Sequence, residues 1–450
     1  MDQPPTLAAS SPDFPLDTLI VNALLVAGGP ECRVIRDGAL GIQGDRVAWT
    51  GGPGHQPPPA RVVVDAQGAV VLPGLVNAHC HLPMSLFRGL ADDLALDAWL
   101  NEHIFPAEAR FLSPETVTAG ALLSLAELLL SGCTTVCDGY FFEDQVAEAA
   151  VLAGIRAVAA QGVLDFPAPG VPDPRENVRA AADFVTRWSG RSPLVTPAIF
   201  CHSPYTCGPD TLKAAKRAAG DAGALFQIHA AETRGEVEQS RKILGKTPIA
   251  HLHSLGVLDA QTLVVHAVWA DERDVEILAR SGAGVAVCTA SNMKLASGIA
   301  PLPGLLAAGV PTGLGTDGPA SNNRLDVFSE MGATARLHKL ATGDPTAVGA
   351  KTALFLATEG GATALGLTGL GRLEPGWAAD VVVLRPDRPN LTPAYDPVSL
   401  AVYAASGADV RHVWVAGRQV VEEGRLLTLE LAEILAKARS LAKRIGGRGA

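Results

Sequence analysis

Between residues 70 and 323 the chain alternates short apolar runs with stretches of helical period, and eight such runs can be counted. They are VVLPGLVNAHCH, CTTVCDGY, IRAVAAQGVLD, LVTPAIFCHSPY, ALFQIHAAET, TLVVHAVWA, GAGVAVCTASN and VPTGLGTDGPASNN. Helical segments separate them, among them 115–131, 209–223, 271–281 and 322–341. Apolar strands joined by helices read as a parallel sheet covered by those helices. Eight βα units in about 300 residues predict an α/β fold, a closed (β/α)8 barrel of the TIM type.

Both ends of the chain have a different texture. Short β-type runs fill the stretch from Leu16 to about Val71 and return in ADVVVLRP and DVRHVWVAGRQVVEEGRLL. Two β-rich ends around a βα middle suggest one small β-sandwich domain built from both termini. The expected division is 1–72 and 375–428 for that domain, 73–374 for the catalytic barrel, and 429–450 for a C-terminal helix and tail; residues 1–15 read as a loose arm. At 48% hydrophobic and 18% charged, the chain has ample core and is not disordered. Its net charge of −10 leaves nothing basic and extended for nucleic acid or an acidic membrane. Lys437, Arg439, Lys443 and Arg444 read as the solvated face of the terminal helix. No signal-peptide pattern or membrane-length apolar run is visible, and seven cysteines lie scattered in apolar runs. A cytoplasmic protein with free thiols is expected.

Nearly every run ends in a polar or ionisable residue: His79 and His81, Asp138, Asp165, His202, His229, His266, Ser291 with Asn292, and Asp317. In such a barrel the C-terminal strand ends converge on one mouth, so five of the eleven histidines and two or three carboxylates should meet there. Alternate residues of a strand share a face, so His79 and His81 point into the mouth together. His229 can add a third ligand and Asp317 a fourth. Three imidazoles and a carboxylate suit one divalent ion, zinc or ferrous iron, with a position left for water. The fourth run carries no lysine, which argues against a carbamate-bridged pair of metals. His266 can hydrogen-bond that water or a developing oxyanion, His202 can donate to a substrate ring nitrogen, and Glu232 can overhang the substrate.

Other motifs read as structural. His251 and His253 form a second H-x-H that precedes a short helix, a rim contact at best. Gly313, Gly315 and Gly318 match G-x-G-x-x-G, but at the last barrel strand and not the first, so no dinucleotide site is expected. Cys133 and Cys137 sit in a β-branched strand. His55, His103, His338 and His412 have no partner pattern.

The order H-x-H, His, H-x-x-E, His, Asp resembles the amidohydrolase superfamily. The stretches NAHCHLPMSLFRGLADDLALDAWLNEHIFPAEARF, HAAETRGEVEQ and TASNMKLASGIAPLPGLLAAGVPTGLGTDGPASNNRLDVFSEM are similar to the 5′-methylthioadenosine/S-adenosylhomocysteine deaminases within it. The resemblance implies metal ligation by His79, His81, His229 and Asp317, ribose binding by Glu108, purine contact by His202, and protonation of the ring nitrogen by Glu232. It implies hydrolytic deamination at C6 of an adenine nucleoside, with Glu232, His266 and Asp317 catalytic. The only partner expected is a small nucleoside substrate, and the chain is expected to form a homo-oligomer, a dimer or a tetramer. Arginines bind the homocysteine carboxylate in that family; Arg175 lies in the corresponding region, but its spacing to His202 differs and it is left unassigned. Phe87, Leu90, Leu96 and Trp99 could wall the pocket, and the connection 82–114 is where substrate choice would reside. Relatives acting on s-triazines or guanine share the ligand set, and Glu108 favours a ribosylated substrate. A non-catalytic scaffold would be expected to have lost ligands, and here all are present.

Overall fold

The computed structural model describes residues 15–446, so all but the last residue of the expected loose arm lies outside it. Five strands come first: β1 (Leu16–Val26), β2 (Val34–Gln43), β3 (Arg46–Gly51), β4 (Ala60–Asp65) and β5 (Val70–Pro73). The barrel strands are β6 (Leu75–Cys80), β7 (Cys133–Tyr140), β8 (Arg156–Val163) and β9 (Val195–Cys201). They continue with β10 (Leu225–Ala230), β11 (Thr262–His266), β12 (Gly284–Val287) and β13 (Thr312–Leu314). Four strands close the chain: β14 (Val381–Leu384), β15 (Val410–Val415), β16 (Arg418–Glu422) and β17 (Arg425–Leu426).

The eight middle strands pair in sequence order, all parallel. Every residue of β6, β7 and β10 is buried, as both-face burial of a barrel strand requires. The last seam, between β13 and β6, closes through a backbone bond just past β13, an asparagine side chain and glycines. The Asp317 amide donates to the His79 carbonyl at 3.0 Å. Asn77 brackets Thr316, accepting from its amide at 2.9 Å and donating to its hydroxyl at 2.8 Å. A Cβ on Gly315 would lie 2.9 Å from the His79 backbone nitrogen, and one on Gly313 2.9 Å from the Ala78 Cβ. The G-x-G of the false dinucleotide motif therefore lets β13 approach β6.

The first apolar run is two strands, not one. Pro73-Gly74 breaks it, β5 joins the sheet of the termini and β6 the barrel. A Cβ on Gly74 would fall 2.1 Å from the Thr134 hydroxyl, so only glycine makes this passage. The other nine strands form one mixed sheet, ordered β17-β16-β15-β14-β5-β1-β2-β3 with β4 also on β1. Its ends meet around a shared core holding Ile42, Val47, Val71, Val381 and Trp414. Arg156 of β8 grips Asp380 with two hydrogen bonds, at 2.9 and 3.2 Å, which ties the barrel to this sheet.

Three of the four named helices lie within two residues of expectation: Pro114–Leu130, Pro209–Asp221 and Glu272–Ser281. The fourth starts at Val327 and not at 322, because Asp326 caps it and Asn322 is engaged with the Thr316 carbonyl and Glu330. The terminal helix, Leu431–Ile445, packs Ala438 and Leu441 on Leu86 and Ala119. Its Lys437 and Arg444 pair with Glu115.

Candidate active site

Three strand ends, those of β6, β10 and β13, deliver His79, His81, His229 and Asp317 to one point. One ligand atom from each lies within 4.8 Å of all the others, and all four residues are buried. Hydrogen bonds fix the rings. The His81 Nδ1–H donates to the Gly139 carbonyl at 2.7 Å. Gln227 spends its amide group on the Asp138 carbonyl, so its oxygen accepts from the His79 Nδ1–H at 3.3 Å. The bare Nε2 atoms of His79 and His81 then turn inward, and the His79 Nε2 comes within 3.1 Å of the His229 Nε2. Burial first, and neighbouring imidazoles second, hold the His79 and His229 rings well below their ordinary pKa. These nitrogens, with the His81 Nε2 and an Asp317 oxygen beside them, make a compact set of ligand atoms. The donor set therefore fits a divalent metal.

Asp317 is oriented from behind. Its Oδ2 accepts from the hydroxyls of Ser291 at 2.5 Å and Ser321 at 2.8 Å. Its Oδ1 faces the His81 Nε2 at 3.3 Å and the His79 Nε2 at 3.7 Å. Burial would raise this carboxyl, but His81, His266 and His79 outweigh it and keep Asp317 well below the usual carboxylate range. Across the cleft, Glu232 Oε2 stands 3.7 Å from His266 Nε2. Burial, then the charge of Asp317, pushes Glu232 up to about 8. Burial also lowers His266, which pairs through Nδ1 with the Asn292 side-chain oxygen at 3.0 Å. Ala231, His266 and Asp317 all have positive φ, of 55°, 75° and 59°. Left-handed backbone at non-glycine residues costs about 1–3 kcal/mol each and persists where the surroundings impose it.

The cleft in front of these residues, counted together with the solvent at its mouth, spans about 590 Å³. Glu108, buried on the helix Phe105–Phe111, accepts the Tyr140 hydroxyl at 2.5 Å. Burial raises Glu108 to about 7, against that hydrogen bond. His202 is turned by its Nδ1, which lies 3.2 Å from the Ser203 hydroxyl and 3.1 Å from that of Thr206. Leu96, Trp99, Leu100, Phe105 and Tyr205 make the apolar wall.

The amidohydrolase family model matches residues 70–420. The chain belongs to the amidohydrolase family. It is 45% identical over 432 residues to a 5-methylthioadenosine/S-adenosylhomocysteine deaminase of Syntrophobacter fumaroxidans, covering 95% of this chain and 98% of that one. It is 42% identical to a 5′-deoxyadenosine deaminase of Methanopyrus kandleri, over 84% of this chain and 86% of that one. The crystal structure of an adenosine deaminase from Xanthomonas campestris with bound zinc superposes with a TM-score of 0.93. That protein is 35% identical, with 96% of this chain and 99% of that chain covered. The zinc complex of an atrazine chlorohydrolase from Arthrobacter aurescens follows at a TM-score of 0.85 and 26% identity, covering 94% of this chain and 100% of that one.

In this amidohydrolase every residue singled out as ligand, acid or substrate contact lies at the one mouth, except that His79 sits just beneath the lining. Two strand-end carboxylates do not reach it. Asp138 is turned to the Leu82 amide, and Asp165 caps the turn at Gly208 and Thr211. Of the four apolar residues proposed as a wall, Leu96 and Trp99 line the cleft; Phe87 is buried in the packing behind it and Leu90 is exposed. Arg175 is exposed and held by Asp173. His251 and His253 lie on the helix Pro248–Ser254, apart from the mouth. The sequence reading passed over Gln227, Tyr140 and Ser321. Gln227 precedes His229 by two residues and so shares its strand face, a signal that was available. Nothing local marks Ser321, which acts only through the turn that returns it to Asp317.

Proposed function

We propose that this protein hydrolytically deaminates adenine nucleosides at C6, with 5′-methylthioadenosine and S-adenosylhomocysteine as the substrate class. The observation that carries the reading is Glu232, buried and facing His266 at 3.7 Å beside the ligand quartet, with burial raising its carboxyl to about 8. The names of the relatives and the buried Glu108–Tyr140 pair support it.

His79, His81, His229 and Asp317 would hold one divalent ion, and zinc suits three imidazoles and a carboxylate. Such an ion supplies Lewis acidity, making hydroxide available near neutral pH. The chain's residues do the rest. Glu232 protonates N1 of the purine, which makes C6 electrophilic. Asp317 takes the proton of the attacking water. His266 stabilises the oxygen that becomes the inosine carbonyl. Asp317 then passes its proton to the departing amine and ammonia leaves, while the remaining proton of the C6 hydroxyl returns to Glu232 as the carbonyl forms. His202 contacts the purine. Glu108, fixed by Tyr140, accepts from the ribose hydroxyls.

The test is ammonia and chloride release by zinc-loaded protein from adenosine, methylthioadenosine, S-adenosylhomocysteine, guanine and a chlorotriazine. Ammonia from the adenine nucleosides, fastest with the two thio-nucleosides, is expected. None from any of them, with metal verified bound, would move the substrate to another heterocycle.

The reading extends to the rest of the molecule. We take residues 73–374 as the catalytic domain, and the chain as a cytoplasmic homo-oligomer. All seven cysteines are unpaired and buried, which suits a reducing compartment. Among the described residues no helix is long and apolar enough to cross a membrane.

A further inference from the structure

The geometry points to Glu236 as the positioning residue for Glu232: its carboxylate clamps the two consecutive backbone amides that aim the acid. This inference rests on the proposed role of Glu232.

Glu236 is the third residue of the helix Arg234–Leu244, whose N-cap is Thr233. A glutamate there ordinarily returns to the N-cap amide. This one reaches past it. Its Oε1 accepts from the Ala231 amide at 3.0 Å and its Oε2 from the Glu232 amide at 2.8 Å. Both residues are buried, so without the carboxylate two backbone donors would lose their partners. The clamped stretch is also the one in left-handed backbone, with Ala231 at φ 55°.

Other bonds hold the same turn from the β11 side. The Trp269 amide donates to the Ala231 carbonyl at 2.8 Å, and the Ala267 amide to the Ala230 carbonyl at 3.2 Å. Ala267 has φ 48°, next to His266 at 75°. Two strained strand ends are thus locked to each other, and they present Glu232 and His266 face to face. Asn292 steadies the His266 ring. Among the described residues no side-chain hydrogen bond orients the Glu232 carboxyl itself, so its aim depends on its backbone, and Glu236 holds that backbone.

Glu236→Gln keeps the size but offers one acceptor where two donors point. In zinc-loaded protein turning over methylthioadenosine, kcat should fall on the order of 10²-fold, the usual result of misplacing a reacting group by about 1 Å. KM should stay within about threefold and bound metal should be unchanged. A kcat within twofold of wild type would overturn the inference. So would a raised KM at unchanged kcat, which would make Glu236 a substrate contact.

Thr233→Ala is the companion variant. It removes the hydroxyl that accepts the Glu236 amide at 3.2 Å but leaves the clamp. It should lower Tm and spare kcat; an equal loss of kcat would mean general loosening of the helix start, and would also defeat the inference. If wild type releases no ammonia from any adenine nucleoside, the proposed reaction fails and the clamp is read separately. Amide hydrogen exchange over 230–234 should accelerate in Glu236→Gln whatever the substrate, and unchanged exchange would overturn the clamp.

Discussion

The strand ends and the connection 82–114 face each other across the cleft, and they are built on different principles. At the strand ends four of the functional side chains have a dedicated polar partner: Gln227 for His79, Gly139 for His81, Ser291 and Ser321 for Asp317, Asn292 for His266. The connection is held by apolar packing of Met84, Phe87, Trp99, Ile104 and Ala107, and it sends in one carboxylate, Glu108. Bond-making needs atoms fixed within fractions of an ångström, which oriented hydrogen bonds on rigid strands provide. Recognition needs shape, which an apolar loop can supply and vary without disturbing the barrel.

Substitutions should separate the two sides. The largest effect is expected for Asp317→Asn. On the proposed mechanism it removes both a metal ligand and the proton carrier, and turnover should fall on the order of 10³-fold or more with reduced metal content, read by metal analysis beside ammonia release. Glu232→Gln comes next, with a loss of about 10²–10⁴-fold in kcat and full metal occupancy. A near-normal rate would end its assignment as the acid. The wild-type pH profile checks the same residue. Its pKa is raised to about 8, so the proton is present below that value, and kcat should decline as pH rises through it.

On the connection side the effects should be smaller and fall on KM. Tyr140→Phe frees Glu108 from its hydrogen bond, and KM for nucleosides should rise about tenfold with kcat little changed. Leu96→Ala should be milder still. It should alter the ratio of kcat/KM between methylthioadenosine and adenosine by about 3–10-fold, since small changes in an apolar wall discriminate weakly. If Leu96→Ala instead depressed kcat for every substrate equally, the division between the two sides would be wrong.

This division also governs what could be read from the sequence. The barrel was legible because eight apolar runs repeat, and the ligands because each ends a run. The two strand-end carboxylates that miss the mouth, Asp138 and Asp165, show the limit. A polar residue at a strand end is drawn equally well to a nearby free amide. Glu108 was found only through a resemblance, because its helix lies in the connection, where no strand periodicity fixes direction. The first run was counted whole, although the expected domain boundary at 72/73 falls inside it, because both halves are equally apolar and their different neighbours lie some 60 and 310 residues further along the chain.

That last pairing has a consequence for how the chain is made. β5 finds its antiparallel neighbour β14 only when residues 381–383 exist. A ribosome must therefore deliver the entire barrel while the first five strands wait with an open edge. Contacts so distant in sequence form late, and waiting edges invite pairing with other chains. Truncation just before β14, at about residue 380, would spare every residue of the quartet and still expose that edge. For this enzyme the last segment synthesised completes the domain begun by the first, and losses in yield should concentrate there and not at the chemistry.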